Sequence, residues 1–140
     1  MKIETDYLIL GSGIAGLTVA IKLAEQFPDR KILIVTKSNA DESNTKYAQG
    51  GIAVVIDGIN DDFEKHINDT LICGDGLCNR EVVEMVVKKG PKRLKELIDW
   101  GTNFDLTAEG NLDLAKEGGH SNHRVVHHKD QTGREIERAI

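Results

Sequence analysis

The chain has 140 residues, of which 39% are hydrophobic, enough for one domain with a core of its own. Its 18 basic and 23 acidic residues give a net charge of -5, and the basic residues are dispersed, so we do not expect nucleic acid as a partner. The sequence has no apolar run of bilayer-spanning length and no secretory pattern at its start, so we expect a soluble, cytoplasmic protein without a membrane partner.

The first predicted strand, residues 5–10, leads directly into a glycine-rich turn and an apolar helix predicted over residues 13–26. The turn reads Gly11-Ser12-Gly13-Ile14-Ala15-Gly16, which is the dinucleotide-binding fingerprint between the strand and helix that it requires. In this motif the first glycine permits a tight turn, the second lets the backbone approach a pyrophosphate, and the third lets the helix pack on the strand. The alternative is an ordinary strand-to-helix turn without a ligand.

A second strand, predicted over residues 31–36, completes a right-handed βαβ unit with two buried parallel strands. The end of this strand usually carries an acidic residue that binds the ribose 2′-OH of NAD. Here that place holds Thr36 and Lys37, which argues against a plain NAD site. Lys37 could offer a charge to a nucleotide, and it could equally be a solvated lysine at a strand end.

A polar segment from Ser43 to Ile52 follows the second strand. Gln49 can both donate and accept hydrogen bonds, and Gly50 and Gly51 expose backbone amides, so the segment suits close contact with a planar polar ring system. Judged by residue types alone, it is a loop that could hold a ligand.

The next part of the chain is predicted to be mainly helical. A short strand over residues 52–56 and a turn over 57–60 precede a helix over 62–71. Another helix begins at Arg80, with Val82, Val83, Val86 and Val87 as its buried face. Gly90-Pro91 is expected to break it, and a further helix ends at Gly101.

The segment 102–113 has the polarity of a loop or hairpin, and a last helix is expected after it. Thr132-Gly133-Arg134-Glu135 predicts a capping box at the start of this helix. The chain ends about two turns later without a helix stop signal. We therefore expect residues 1–140 to be the N-terminal portion of a larger protein.

Cysteine and histidine spacing does not support a metal or redox centre. Cys73 and Cys78 are five positions apart, which fits neither a C-x-x-C motif nor a zinc knuckle, so we expect reduced, structural thiols. The histidines near the C-terminus have no clear carboxylate ligand among them, and we assign no metal. We expect these residues to line a cofactor or substrate cleft, or to lie solvated beside it: His120, His123, Arg124, His127 and His128.

Together these segments resemble the flavoprotein family of succinate dehydrogenase, fumarate reductase and L-aspartate oxidase, with the closest match to the aspartate oxidases. The resemblance is carried, in the family's order, by residues 6–17, 36–37, 45–53, 69–72 and 117–121. It implies an α/β fold in which residues 1–140 form the N-terminal portion of a Rossmann-like FAD-binding domain. The capping domain and the C-terminal helical domain would lie outside this chain.

The resemblance also implies FAD as the cofactor, held along the glycine-rich turn, Lys37 and the polar loop. The residues that it assigns to FAD are Gly11, Ser12, Gly13, Ile14, Ala15, Gly16, Lys37, Asn44, Thr45, Lys46, Tyr47, Ala48, Gln49, Gly50 and Gly51. Succinate dehydrogenases and fumarate reductases carry a histidine at the position of Asn44, and it bonds covalently to the flavin. An asparagine cannot form that bond, so we expect non-covalent FAD.

The resemblance implies that Glu117 determines the substrate specificity. Aspartate oxidases place a glutamate there, thought to meet the α-ammonium of L-aspartate, whereas the dicarboxylate enzymes have an uncharged glutamine. A desolvated carboxylate left without this ammonium would be unfavourable. Without the resemblance, Glu117 would be interpreted as a loop residue or a helix cap.

The activity implied is transfer of a hydride from the Cα of L-aspartate to the flavin, giving iminoaspartate, with oxygen or fumarate as acceptor. Quinolinate synthase would then consume iminoaspartate on the way to NAD. We expect the 140-residue chain alone to be inactive, since the family's proton-transferring arginine lies beyond Ile140. The alternatives are a soluble fumarate reductase or succinate dehydrogenase flavoprotein, an NAD-dependent dehydrogenase, and a non-enzymatic nucleotide-binding module.

Overall fold

The computed structural model describes residues 2–56 and 60–140. Of the turn predicted over residues 57–60, only Asn60 lies within the described residues. The elements in chain order are β1 (Tyr7–Leu10), α1 (Ile14–Gln26), β2 (Ile32–Val35), β3 (Ile52–Ala53), α2 (Phe63–Cys73), α3 (Arg80–Asp99), β4 (Leu114–Ala115), β5 (Val125–Val126) and α4 (Thr132–Ala139). In the part of the chain that the structure describes, no helix is both long and apolar enough to cross a membrane.

The βαβ unit predicted at the N-terminus is confirmed. β1 and β2 pair in parallel, with Tyr7 opposite Ile32 and Leu10 opposite Val35, and α1 connects them. The prediction that both strands are buried is wrong, because Leu8 is 57% exposed and Leu10 is 77% exposed. Within the described residues this sheet has only two strands, so many of its side chains have no apolar layer against them.

A second, three-stranded antiparallel sheet has the order β3-β5-β4. β3 ends at Ala53 rather than at the predicted residue 56, although the next amide, of Val54, still donates to the carbonyl of Arg124 at 2.9 Å. β4 and β5 were not predicted, since strands of two residues are too short to show an alternating pattern. The segment 102–113 forms a hairpin closed by a bridge between Leu106 and Leu112.

The main hydrophobic core lies between α3, the three-stranded sheet and α4. Its buried members are Val54, Leu94, Leu97, Phe104, Val126 and Ile136. A smaller cluster joins α2 to α3 through Ile67, Val83 and Val87. The buried face of α3 is thus narrower than predicted: Val82 and Val86 are exposed, and they line an open cavity beside the two clusters.

The helix break predicted at Gly90-Pro91 is also wrong, since α3 runs through Pro91 without interruption. A proline inside a helix loses one hydrogen bond and costs about 3 kcal/mol. Apolar residues buried on both sides of Pro91 offset this cost. Gly90 lets α3 pack closely on the core, because a methyl group at this position would lie only 3.3 Å from Val54 Cγ2. The helix end predicted near Gly101 is confirmed, and that glycine has a φ of +97°.

The capping box predicted for α4 is wrong as well. The residue that caps the helix is Gln131, and no side chain caps its amides. Thr132 lies inside the helix, where its hydroxyl accepts a hydrogen bond from the amide of His128 at 3.0 Å. The carboxylate of Glu135 accepts from the amide of Asn103 at 2.7 Å. Thr132 therefore binds the turn before the helix and Glu135 binds the distant Asn103, and neither makes the bond that the sequence pattern predicted.

Candidate functional site

The glycine-rich turn, the end of β2 and the start of the polar loop line one cavity of about 730 Å³. This cavity brings together several residues predicted to bind the cofactor, namely Gly11, Ser12, Gly13, Lys37, Asn44, Thr45 and Tyr47. The other predicted residues lie outside its lining: Ile14, Ala15, Gly16, Lys46, Ala48, Gln49, Gly50 and Gly51.

The turn itself has the geometry that the fingerprint predicts. Gly11 has a φ of +104°, in the region that favours glycine, and its amide donates to the carbonyl of Val35 at 2.8 Å. A Cβ atom on Gly16 would overlap the carbonyl oxygen of Gly11. The first and third glycines therefore act as predicted: one makes the turn, and the other lets α1 pack on it.

A buried hydroxyl at this turn fits an anionic group. Ser12 is 4% exposed, and its Oγ has no hydrogen-bond partner among the described residues. Ser12 lies just before the start of α1, where helix amides favour negative charge. A polar atom that is buried without a partner usually has one in the functional state. The pyrophosphate of FAD suits this hydroxyl, this helix start and the cavity beside them.

Thr45 joins the polar loop to the start of α1. Its hydroxyl accepts a hydrogen bond from the amide of Ile14 at 3.0 Å. A methyl group on Gly13 would lie 3.4 Å from the same hydroxyl. The loop is therefore anchored on the helix end that faces the cavity, and the Ile14 amide is engaged by the protein.

Lys46 and Tyr47 are held by acidic residues that lie just before the polar loop. Lys46 Nζ lies 2.6 Å from Asp41 Oδ2, and this hydrogen bond raises the pKa of Lys46. The Tyr47 hydroxyl donates to Glu42 at 2.5 Å, and this bond raises the pKa of Tyr47. Lys46, Tyr47, Ala48 and Gln49 line a second cavity of about 300 Å³ together with Asp130, Gln131 and Arg134.

The end of the polar loop meets Glu117. A methyl group on Gly50 would lie 4.0 Å from Glu117 Oε1, whereas one on Gly51 would overlap the carbonyl oxygen of Val126 in β5. Glu117 is exposed and belongs to a turn in which the His120 amide donates to the Glu117 carbonyl at 3.2 Å. The structure thus brings the predicted substrate residue beside the predicted flavin loop.

Sequence reasoning missed Gly133, which supports the same loop from α4. Its amide donates to the carbonyl of Ala48 at 2.9 Å, and a Cβ atom there would overlap the carbonyl oxygen of Thr45. The available signal was a glycine in the first turn of a helix, a position where alanine is intrinsically preferred.

Arg124 does not line a cleft or lie in solvent as predicted, because it is fully buried. Its guanidinium donates two hydrogen bonds of 2.7 Å to Asp61 and one of 2.5 Å to Asp69. Burial raises the pKa of both carboxyls, but hydrogen bonds outweigh it and hold each pKa below its usual value. Burial, reinforced by the charge of Arg124, lowers the pKa of the neighbouring His66. The sequence around Arg124 is polar, which is typical of an exposed segment, so it did not predict this buried network.

The histidines belong to separate clusters: His120 lies with His66, whereas His127 and His128 lie beside Asp105. His120 packs edge-on against His66, with ring centroids 5.7 Å apart. His127 Nδ1 lies 3.2 Å from Asp105 Oδ2, and His128 Nδ1 lies 2.7 Å from the carbonyl of Asn103. Among residues 2–56 and 60–140, no three His, Cys, Asp or Glu side chains gather as metal ligands would.

The comparison with protein families matches residues 6–139 to a family described as an FAD binding domain. An L-aspartate oxidase of Nicotiana tabacum, named as chloroplastic, is 47% identical over 135 residues, which cover 96% of this chain and 20% of that protein. The L-aspartate oxidase of Streptomyces coelicolor is 41% identical over 139 residues, or 99% of this chain and 23% of that protein. The chain thus spans about a quarter or less of the length of these relatives.

Two solved structures have a similar fold over nearly the whole of this chain. A variant of the E. coli quinol fumarate reductase superposes with a TM-score of 0.89 at 33% identity, covering 98% of this chain and 23% of that one. The Mycobacterium smegmatis Sdh1 complex superposes with a TM-score of 0.87 at 34% identity, covering 96% of this chain and 23% of that one. The similarity extends over nearly all of the described residues.

Proposed function

The chain belongs to the FAD binding domain family, and on that premise we propose that it is the N-terminal portion of an L-aspartate oxidase. The proposed reaction is oxidation of L-aspartate to iminoaspartate, with oxygen or fumarate as the acceptor. The observation that supports it most is the proximity of the Glu117 carboxylate to Gly50, together with identities of 41–47% to L-aspartate oxidases. The rest of the FAD-binding domain, a capping domain and a helical domain would lie in the remainder of the enzyme.

We assign to FAD the residues that line the larger cavity. Gly13 and the buried Ser12 hydroxyl would meet the pyrophosphate at the start of α1, and Lys37 would meet the nucleotide half. The loop from Asn44 to Gly51 would hold the flavin ring, non-covalently because asparagine cannot form the bond to flavin that a histidine makes. When bound, FAD supplies the acceptor for the hydride from the substrate Cα.

Glu117 would bind the α-ammonium of L-aspartate. A carboxylate beside an ammonium forms a charge-assisted hydrogen bond, about twice as strong as a neutral one. Closure of the site over the substrate would desolvate this pair and strengthen it. Glu117 would thereby orient the Cα–H bond towards the flavin. Fumarate and succinate have no ammonium, so they would make no equivalent contact with Glu117.

The fumarate reductase and succinate dehydrogenase flavoproteins are the second candidate, because the E. coli quinol fumarate reductase superposes so closely. Asn44 and Glu117 argue against this assignment. For the proposed oxidase, the product would be consumed by quinolinate synthase on the route to NAD. A cytoplasmic location stays a prediction, since the tobacco relative is named as chloroplastic.

The test is Glu117→Gln in the intact FAD-loaded enzyme. We expect kcat/KM for L-aspartate to fall by about tenfold or more, the change that loss of a charged hydrogen bond brings, while fumarate reduction changes less than about twofold. Glu109→Gln is the matched control, because Glu109 is also an exposed loop glutamate but lies in the 102–113 hairpin. Equal losses of both activities in Glu117→Gln would contradict the proposal.

A further inference from the structure

We propose that Asp69 is a positioning residue that holds the Glu117 turn in place for the substrate ammonium, and that Arg124 holds Asp69. This inference rests on the proposed role of Glu117. Asp69 belongs to α2, contacts neither cavity beside the polar loop, and is separated by 48 positions from Glu117 in the sequence. Its effect would therefore be transmitted through the turn.

A single oxygen of Asp69 fixes the C-terminal end of the Glu117 turn. Asp69 Oδ2 accepts hydrogen bonds from both the amide and the hydroxyl of Ser121, each at 2.8 Å. The same oxygen accepts the 2.5 Å hydrogen bond from Arg124 Nη1. A carboxylate is needed here, because only a charged acceptor is well suited to three donors on one oxygen.

The N-terminal end of the turn is fixed by the same arginine. The Arg124 amide donates to the carbonyl of Ala115 in β4 at 3.2 Å, and its side chain is clamped by Asp61. Arg124 is 0% exposed, so its position does not depend on solvent-exposed ion pairs, which contribute little. Residues 116–120 are thus a short bridge between two anchors that meet at Arg124.

His120, at the end of the bridge, packs on His66 and lies beside Arg124, but the preceding residues have few contacts to hold them. Residues 116–119 are exposed, and a Cβ atom on Gly118 would meet nothing within 4 Å. Gly119 has a φ of +85°, and Cys73 of α2 lies close behind it. The position of the Glu117 carboxylate relative to Gly50 is therefore set chiefly by where the two anchors are. Loss of the Ser121 anchor would widen the range of positions that the carboxylate samples.

The proposal is tested with Asp69→Asn, and with Asp61→Asn as its matched control, in the intact enzyme with FAD. Both carboxylates are largely buried and both pair with Arg124, but the Asp61 carboxylate binds the side chain of Asn122 rather than the Ser121 amide. We expect Asp69→Asn to raise the KM for L-aspartate by about tenfold while the Kd of succinate, measured from the flavin absorbance, changes less than about twofold. Asp61→Asn loosens Arg124 but leaves both hydrogen bonds from Ser121 to Asp69 in place, so it should raise the KM for L-aspartate less than Asp69→Asn does.

Two further measurements separate positioning from a general loss of structure. Hydrogen exchange of residues 117–121 should accelerate by about tenfold in Asp69→Asn and less in Asp61→Asn, because only the first change replaces the charged acceptor of the Ser121 amide by a neutral one. In the Glu117→Gln background, Asp69→Asn should have no further effect on the aspartate KM, since residues that act as a unit are not additive. Ser121→Ala, a milder change, should move the KM in the same direction by about twofold to threefold.

The outcomes distinguish this inference from the proposed function. If Glu117→Gln selectively impairs aspartate but Asp69→Asn impairs aspartate and succinate alike, the positioning role is overturned and the proposed function stands. If Glu117→Gln shows no preference for aspartate, the proposed function fails. The exchange measurement then still decides whether Asp69 holds the turn. An additive Asp69→Asn effect in the Glu117→Gln background would also overturn the inference.

Discussion

The βαβ unit of β1, α1 and β2 is far less buried than the region around α3, β5 and α4. α1 has no buried residue, whereas Val126 of β5 is fully buried and Ile136 of α4 is 5% exposed. The two regions contact through polar groups such as Lys22 and Glu96, 3.1 Å apart. The glycine-rich turn therefore depends on backbone geometry, while stability of the chain is concentrated in the second region.

Substitution of matched leucines measures this difference most directly. Leu94 is 4% exposed in the core, and Leu10 is 77% exposed in β1. We expect Leu94→Ala to lower the free energy of unfolding by about 2–5 kcal/mol, because it leaves a cavity. Leu10→Ala should lower it by less than about 1 kcal/mol. Urea denaturation of the two variants is the measurement, and equal losses would show that the βαβ unit contributes as much to stability as the core does.

The contact between α4 and the polar loop, which Thr45 joins to α1, can be broken at Gly133. Alanine there should destabilise the chain by about 1–3 kcal/mol and weaken FAD binding, because its Cβ would push against the carbonyl of Thr45. Helix propensity alone would make the same change stabilising by about 1 kcal/mol, so the sign of the effect is decisive. Gly118→Ala, in open space, is the control for stability. A Gly133→Ala variant with unchanged melting temperature and FAD affinity would refute the contact.

The stability of the second region should also depend on pH, with an effect no larger than that of Gly133→Ala. Hydrogen bonds from Arg138, with the Asn103 amide, lower the pKa of Glu135 from 4.5 to about 2, although burial opposes the shift. Because this pKa is lower in the folded state, the stabilisation is present above about pH 4.5 and is lost as the pH falls towards 2. The loss should be about 1–3 kcal/mol, since the partner Arg138 is itself 56% exposed.

Glu135→Gln checks this sign. The variant should have a flatter dependence of unfolding free energy on pH below 4.5, and its difference from the parent should be largest at neutral pH. Urea midpoints measured from pH 3 to 7 provide the comparison. A parent and a variant with parallel pH profiles would show that Glu135 does not contribute this stabilisation.

The parts of the fold that follow local rules could be predicted from the sequence. Gly11 and Gly16 are required by a turn and a close helix contact within six residues of each other, so their spacing, between an apolar strand and an apolar helix, predicts the start of the βαβ unit. A helix beginning at Asp62 was predicted as well, and the Asp62 side chain accepts a hydrogen bond from the amide of Lys65 at 2.8 Å. In each case the determining contacts are near neighbours in the chain.

The rest depended on contacts between distant segments. Pro91 stays within α3 because apolar residues on both sides of it are buried. The residues that they pack against are distant in the chain, so the sequence does not predict this burial. Arg124 was misjudged for the same reason: its partners Asp61 and Asp69 are 63 and 55 positions away. For Glu117, residue types alone left a loop residue as the better interpretation, and the resemblance to a family supplied its proposed role.

Anaerobic reduction of the intact FAD-loaded enzyme by L-aspartate and by succinate tests the aspartate oxidase assignment most directly. We predict that L-aspartate bleaches the flavin absorbance and that succinate, which lacks the ammonium for Glu117, does so far more slowly. Reduction by succinate as fast as by L-aspartate would contradict the aspartate oxidase assignment and favour a dicarboxylate enzyme.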